Sequence, residues 1–118
     1  MKKDIQTINK EIAYIQDTLY VINGKWKLPI LIAIYNGVYR FREIQRYVGA
    51  ITPKVLSNYL KDLEENKLVI RKVFDSSPVL VEYHITEYAK TLEPMMREMV
   101  SWGANHRIKI SQESKTIN

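Results

Sequence analysis

Apolar side chains recur at Ile5, Ile8, Ile12, Ile15 and Leu19, at spacings of three, four, three and four residues. That is the period of one helix face, and it predicts an amphipathic helix over about residues 4–20. A terminal helix frays unless something covers it, so this stripe calls for burial against the body of the domain or against a second subunit. Asn23-Gly24 breaks the pattern, and Lys25-Trp26-Lys27-Leu28 opens a second helix. Pro29 is tolerable in its first turn, where a missing amide hydrogen matters little. From Ile30 to Tyr35 the chain is apolar on nearly every side, which predicts the central, most buried helix, ended by Asn36-Gly37.

A short third helix is expected over about Phe41–Val48, with Phe41, Ile44 and Val48 inward. Gly49-Ala50-Ile51 makes a tight turn, and Thr52-Pro53 reads as an N-cap followed by proline at the first helical position. The fourth helix runs to about Glu65 and buries Val55, Leu56, Leu60 and Leu63. Two helices so closely spaced, the second well capped, have the form of a helix-turn-helix. The period then changes from helical to alternating. Leu68–Phe74 is strand-like, Asp75-Ser76-Ser77-Pro78 is a turn, and Val79, Val81, Tyr83 and Ile85 alternate with Leu80, Glu82 and His84. A hairpin in this position is a wing. Thr86 reads as the cap of a last helix with Glu87 in its first turn and Leu92, Met96, Met99 and Trp102 on one face. Pro94 requires either a kink or a short helix that gives way to a new one. Gln112 to Asn118 is polar and expected to fray. The pattern therefore predicts an α+β, mainly helical fold. It is one domain over residues 1–118, with a winged helix-turn-helix core at about 25–86 and additional dimerisation helices at about 4–20 and 87–110.

Composition narrows the partners. The 118 residues carry 18 Lys/Arg against 13 Asp/Glu, a net charge of +5. The excess is local: residues 25–72 hold ten basic and four acidic side chains, and the rest of the chain holds eight and nine. A polyanion is the obvious partner for such a segment, against the plainer alternative of a solvated basic surface. The chain has no cysteine, which excludes a disulfide, a thiolate nucleophile, a thiol switch and a Cys-based zinc site. His84 and His106 fall on separate elements, and Glu82 with His84 is too small a set for a metal site. The four glycines are scattered and form no phosphate loop, and no serine or threonine has the setting of an activated nucleophile. A non-enzymatic protein without cofactor or metal is expected. No apolar run approaches the roughly 20 residues that cross a bilayer, and no apolar core follows the basic start as a signal peptide would require. No membrane association is expected, and a cytoplasmic location is.

A helix that enters the major groove presents short polar or basic side chains opposite its buried leucines. On the fourth helix these are Lys54, Ser57, Asn58 and Lys61. The Asn58 amide suits adenine, Ser57 a base edge or a phosphate, and the lysines guanine or the backbone. Thr52 and the free amides beside it suggest a phosphate seat. Arg40 and Arg42 flank the start of the third helix, where phosphate contact is the natural role. Lys25 and Lys27 at the start of the second helix suit either phosphate or solvent. Of Arg71 and Lys72 on the first wing strand, one is expected at DNA and the other against an acid such as Glu82. Trp26 and Phe41 sit on apolar faces and are assigned to the core. Ile5, Ile8, Ile12 and Ile15, together with Met96, Met99 and Trp102, form the expected dimer seam, which Met95 and Ile108 extend. Pairing across a two-fold axis would set two recognition helices about one DNA turn apart, which suits palindromic sites on double-stranded DNA.

These residues together resemble the HxlR family of bacterial winged helix-turn-helix regulators. Gly24-Lys25-Trp26 resembles its opening motif, and Arg40-Phe41 with Glu43-Ile44 its Arg-Phe-x-Glu-Leu segment. Ile51-Thr52 with Leu56, Leu60 and Leu63 resembles its recognition helix, and Leu68 with Arg71 the start of its wing. Pro78 followed by Val81-Glu82-Tyr83-His84-Ile85-Thr86 is the most specific match, and Leu92, Pro94 and Trp102 resemble its C-terminal helical pattern. The likeness spans about residues 12–103. It implies a homodimer joined through the terminal helices, bound to operator DNA to repress or activate nearby genes. Some members sense electrophiles or oxidants through a cysteine near the first helix; the corresponding Ile12-Ala13 has none, so thiol sensing is excluded. Ala89 stands where the family more often has glycine, a change that favours helix. A winged-helix scaffold for protein–protein interaction and a non-specific DNA binder are the alternative readings. An unidentified small-molecule effector is compatible with the fold, although no convergent polar set marks a pocket.

Overall fold

The computed structural model describes residues 2–117, and the side chains of residues 2–113. The chain divides into two compact units, Met1–Thr86 and Glu87–Asn118. The first contains α1 (Ile5–Ile22), α2 (Lys27–Tyr35), α3 (Phe41–Val48), α4 (Pro53–Glu65) and a hairpin of β1 (Val69–Phe74) and β2 (Leu80–Ile85). The second contains a 3₁₀ turn (Tyr88–Leu92) that leads into α5 (Glu93–Ile117). This is the mainly helical fold with a small β-hairpin wing and flanking helices that the hydrophobic pattern predicts.

Ile30, Ile34, Ile44, Leu56, Leu60, Leu63, Leu68 and Val69 are fully buried and form the core of the first unit. Each such side chain contributes about 1.5–3 kcal/mol relative to exposure. The positions come from α2, α3, α4, the residue before the wing and the wing's first residue, so the helix-turn-helix and the hairpin are clamped on one apolar centre. The α2 helix is the central element, with Ile30, Leu31, Ala33 and Ile34 buried. Lys27 is buried with them, which the sequence reading did not anticipate.

Local chemistry explains the boundaries. Asp4 caps α1 by accepting from the Thr7 amide at 2.7 Å. The α2 helix ends where the Val38 amide donates to the Ala33 carbonyl and the Gly37 amide to Ile34, with Gly37 at φ +90°. This is the Schellman arrangement, whose left-handed position suits glycine. The α4 helix ends in the same way. Leu68 donates to the Leu63 carbonyl and Lys67 to Glu64, each at 3.0 Å, but the left-handed residue here is Lys67, at φ +66°.

The hairpin is antiparallel and runs from the pair Val69↔Ile85 to Phe74↔Leu80. Its turn contains a cis Ser77–Pro78 peptide and a Ser76 hydroxyl that donates to the Pro78 carbonyl. The expected alternation of burial along the second strand is absent: all six residues of β2 are half-buried. One reason is the connection between α2 and α3 at its edge, where the Tyr83 amide donates to the Tyr39 carbonyl at 2.8 Å. In the second unit, Pro94 falls in the first turn of α5, so a short helix does give way to a new one. That helix continues to Ile117 through the segment expected to fray, and Asn118 lies outside the described residues. Among the described residues no helix is long and apolar enough to cross a membrane.

Candidate nucleic-acid interface

The turn between α3 and α4 is fixed by hydrogen bonds on both sides. The Gln45 side chain donates to the Ile51 carbonyl at 3.0 Å, and the Ile51 amide donates to Gly49 at 2.7 Å. Ile51 is buried beneath the turn. Thr52 then caps α4, its hydroxyl accepting from the Val55 amide at 3.3 Å, with Pro53 as the first helical residue. The cap narrows the expected phosphate seat. The Val55 amide is already engaged and Pro53 has none, which leaves the amides of Thr52 and Lys54 at the helix start.

From this cap the helix presents two contrasting sides. Leu56, Leu60 and Leu63 are at most 1% exposed, whereas Lys54, Ser57, Asn58 and Lys61 are all exposed. The exposed set falls at intervals of three, one and three residues, which makes one continuous helical face. Arg40 occupies the N-cap position of α3 without a side-chain capping bond, and Arg42 is the second residue of that helix; both are exposed. Arg71 and Lys72 lie on β1, exposed and on opposite faces of the ribbon. Among the described residues Arg40, Arg42, Lys54, Lys61, Arg71 and Lys72 form no ion pair. Their charge is therefore not consumed internally and remains available to an external anion.

The sequence profile of the HxlR-like helix-turn-helix family matches residues 21–111. The chain belongs to that family. It is similar to the uncharacterised HTH-type transcriptional regulator YybR of Bacillus subtilis, with 40% identity over 106 residues, 90% of this chain and 84% of that one. A solved structure described as a transcriptional regulator of the MarR family from Enterococcus faecalis has a TM-score of 0.76 and 32% identity. The match covers 95% of this chain and 96% of that one. The reduced form of the redox regulator HypR has a TM-score of 0.74 and 39% identity, covering 79% and 92%. At the level of the family, this is a winged helix-turn-helix DNA-binding regulator.

Within this HxlR-like frame, three sequence expectations need correction. Lys27 is neither solvated nor free for phosphate. It is 8% exposed, its Nζ lies 2.6 Å from Asp62 Oδ2, and it donates to the Tyr20 carbonyl at 3.0 Å. Glu82 is not the partner of Arg71 or Lys72. Lys72 is its cross-strand neighbour, but its carboxylate lies 2.9 Å from His84 Nε2. Residues two apart on a strand share a face, and the pleat brings these two together. Trp26 and Phe41 are half-buried rather than fully internal, and Lys25 lies over the Trp26 ring, 4.9 Å from its centroid. Sequence reasoning also missed Tyr39, whose ring stacks on His84 with centroids 4.0 Å apart. Nothing in the local pattern of Val38-Tyr39 announces a partner more than forty residues away. Among the described residues no three His, Cys, Asp or Glu side chains converge to hold a metal.

The proposed seam residues keep apolar surface open. Ile5, Ile8, Ile12 and Ile15 on α1 are between 40% and 75% exposed. On α5, Met96 is half-buried, while Met99 and Trp102 are exposed, the Trp102 ring stacked on His106 at 4.8 Å.

Proposed function

We propose that this HxlR-like protein regulates transcription as a homodimer that binds palindromic operator DNA sequence-specifically. Residues of about 25–86 form the DNA-reading body, and α1 and α5 join the protomers. The observation that carries this reading is the recognition helix. The α4 helix is held by three buried leucines on one side and offers Lys54, Ser57, Asn58 and Lys61 on the other. Asn58 suits bidentate pairing with adenine, and the lysines suit guanine or phosphate. Arg40, Arg42, Thr52, Arg71 and Lys72 take the backbone role, which fixes register without reading sequence.

The test is selection of bound DNA from a random pool, followed by titration of the recovered site. Asn58→Ala costs about 1–3 kcal/mol on that site and relaxes the preference at one base position. Lys61→Ala weakens all sites alike and lowers the salt slope by about one if it holds a phosphate. No enrichment together with salt-sensitive binding to every fragment would mean a non-specific binder. No binding at all would favour a protein-interaction scaffold. HypR is described as a redox regulator; the present sequence has no cysteine. Thiol oxidation of this chain is therefore not its signal.

A further inference from the structure

Among the described residues Lys27 is the one charged residue classed as buried, and its ammonium sits where three helices meet. It belongs to the first turn of α2. Its Nζ reaches back to the Tyr20 carbonyl near the end of α1 and across to Asp62 on α4. Tyr20 lies in the last turn of α1, where carbonyls lack helical partners and the helix end carries partial negative charge. The ammonium also lies 5.5 Å from the centroid of the Tyr20 ring. Asp62 Oδ2 is itself buried and has no in-line hydrogen bond among the described residues, so the ion contact is its compensation.

A second contact joins the same pieces independently of charge. Gly24, in the turn that connects α1 to α2, has φ +104°, and a Cβ there would lie 3.4 Å from the Tyr59 hydroxyl. Tyr59 and Asp62 are three residues apart on α4, hence on one face of that helix. The connection that leaves α1 is thus seated on the recognition helix, beside the turn that bears Asn58. Apart from this joint, most of α1 is exposed, and only Ile22 at its end is buried.

We infer that Lys27 and Asp62 are positioning residues that set the angle between α1 and the recognition helix. Through the dimer, they then set the separation of the two recognition helices. The inference rests on the proposed reading that α1 joins the protomers. It assigns to a buried pair a specificity role that no DNA contact reveals: tolerance of half-site spacing.

The absence of cysteine makes the test clean, because Glu64→Cys places a single spin label on the exposed side of α4, outside the residues assigned to DNA. Pulsed dipolar spectroscopy of the labelled homodimer then reads the distance between recognition helices. The pair is removed as a unit in Lys27→Met/Asp62→Leu, since replacing both charges by apolar groups leaves no unpaired buried ion. The expected result is a folded, dimeric variant whose distance distribution broadens or shifts. Its affinity for the selected palindrome falls about tenfold, the scale of coupled sites, while affinity for half-sites at altered spacing falls less. Lys27→Arg, which keeps the ion pair but changes the reach and geometry of its donor, shows a smaller change of the same kind and serves if the double variant does not fold. A variant dimer with the wild-type distribution and spacing preference would overturn the inference and leave the dimer reading standing. A Glu64→Cys chain with Lys27 and Asp62 intact that sediments as a monomer and gives no dipolar signal between labels would remove the dimer reading and the inference with it.

Discussion

The ends of α2 and α4 are built alike but filled differently. Gly37 supplies the left-handed residue after α2, and Lys67 supplies it after α4 at φ +66°. A side chain in that conformation costs about 1–2 kcal/mol, part of which a glycine returns through its freer unfolded state. Lys67→Gly is therefore expected to stabilise the fold by about 0.5–1 kcal/mol, and Gly37→Ala to destabilise it by about 1 kcal/mol or more. Urea unfolding of the two variants measures both, and equal signs would contradict the account. Lys67 was legible as the end of a helix but not as a strained position, because the strain depends on where Leu68 must go to reach the core. Lys27 shows the same limit. A lysine at a helix start next to a tryptophan reads as surface, and only the arrival of Asp62 from thirty-five residues away makes it internal.

The elements themselves were more legible than their partners. The end of α3 and the extent of α4 follow from Gly49, from Thr52-Pro53 and from the leucine spacing of α4, which are local signals, whereas the Tyr39–Tyr83 edge contact and the uniform half-burial of β2 depend on tertiary neighbours. The N-terminus of α1 rests on one titrating cap. The Thr7 amide hydrogen bond, followed by the Thr7 side chain, holds the Asp4 carboxyl below its ordinary value of 3.8. The charged form is the one favoured in the fold. Its contribution is thus complete above the ordinary value and is lost as pH falls through the lower folded value. Asp4→Asn keeps a capping oxygen that does not titrate. Amide exchange of the first turn of α1, followed from about pH 5 down to about pH 2, is expected to show protection lost in the wild type and nearly level in the variant. Parallel acid profiles would mean that the cap is not what holds this turn.

At the scale of the whole molecule, the stripe on α1 left two readings open in the sequence: cover by the domain or cover by a second subunit. In the folded chain Ile5 is 75% and Ile15 59% exposed, so the unit that contains α1 does not provide the cover. A contiguous exposed apolar face of this kind marks an interaction site. The α5 helix carries a matching demand in Met99, Val100, Trp102 and Ile108, all exposed. A lysine at Ile8 and another at Ile12 would place two charges where the proposed seam excludes water, while touching none of the core residues of the winged body. The Ile8→Lys/Ile12→Lys protein is thus expected to sediment as a monomer and to keep the far-ultraviolet signal of its helices. Its thermal midpoint should also lose the concentration dependence that an associating wild type shows. Binding to the palindrome should drop by about 10²–10⁴-fold, because the second half-site no longer benefits from tethering. Binding to an isolated half-site should change little, since the α4 face is intact. A variant that remains dimeric would move the seam off α1, and a monomer that still binds the palindrome at full strength would separate dimerisation from DNA recognition.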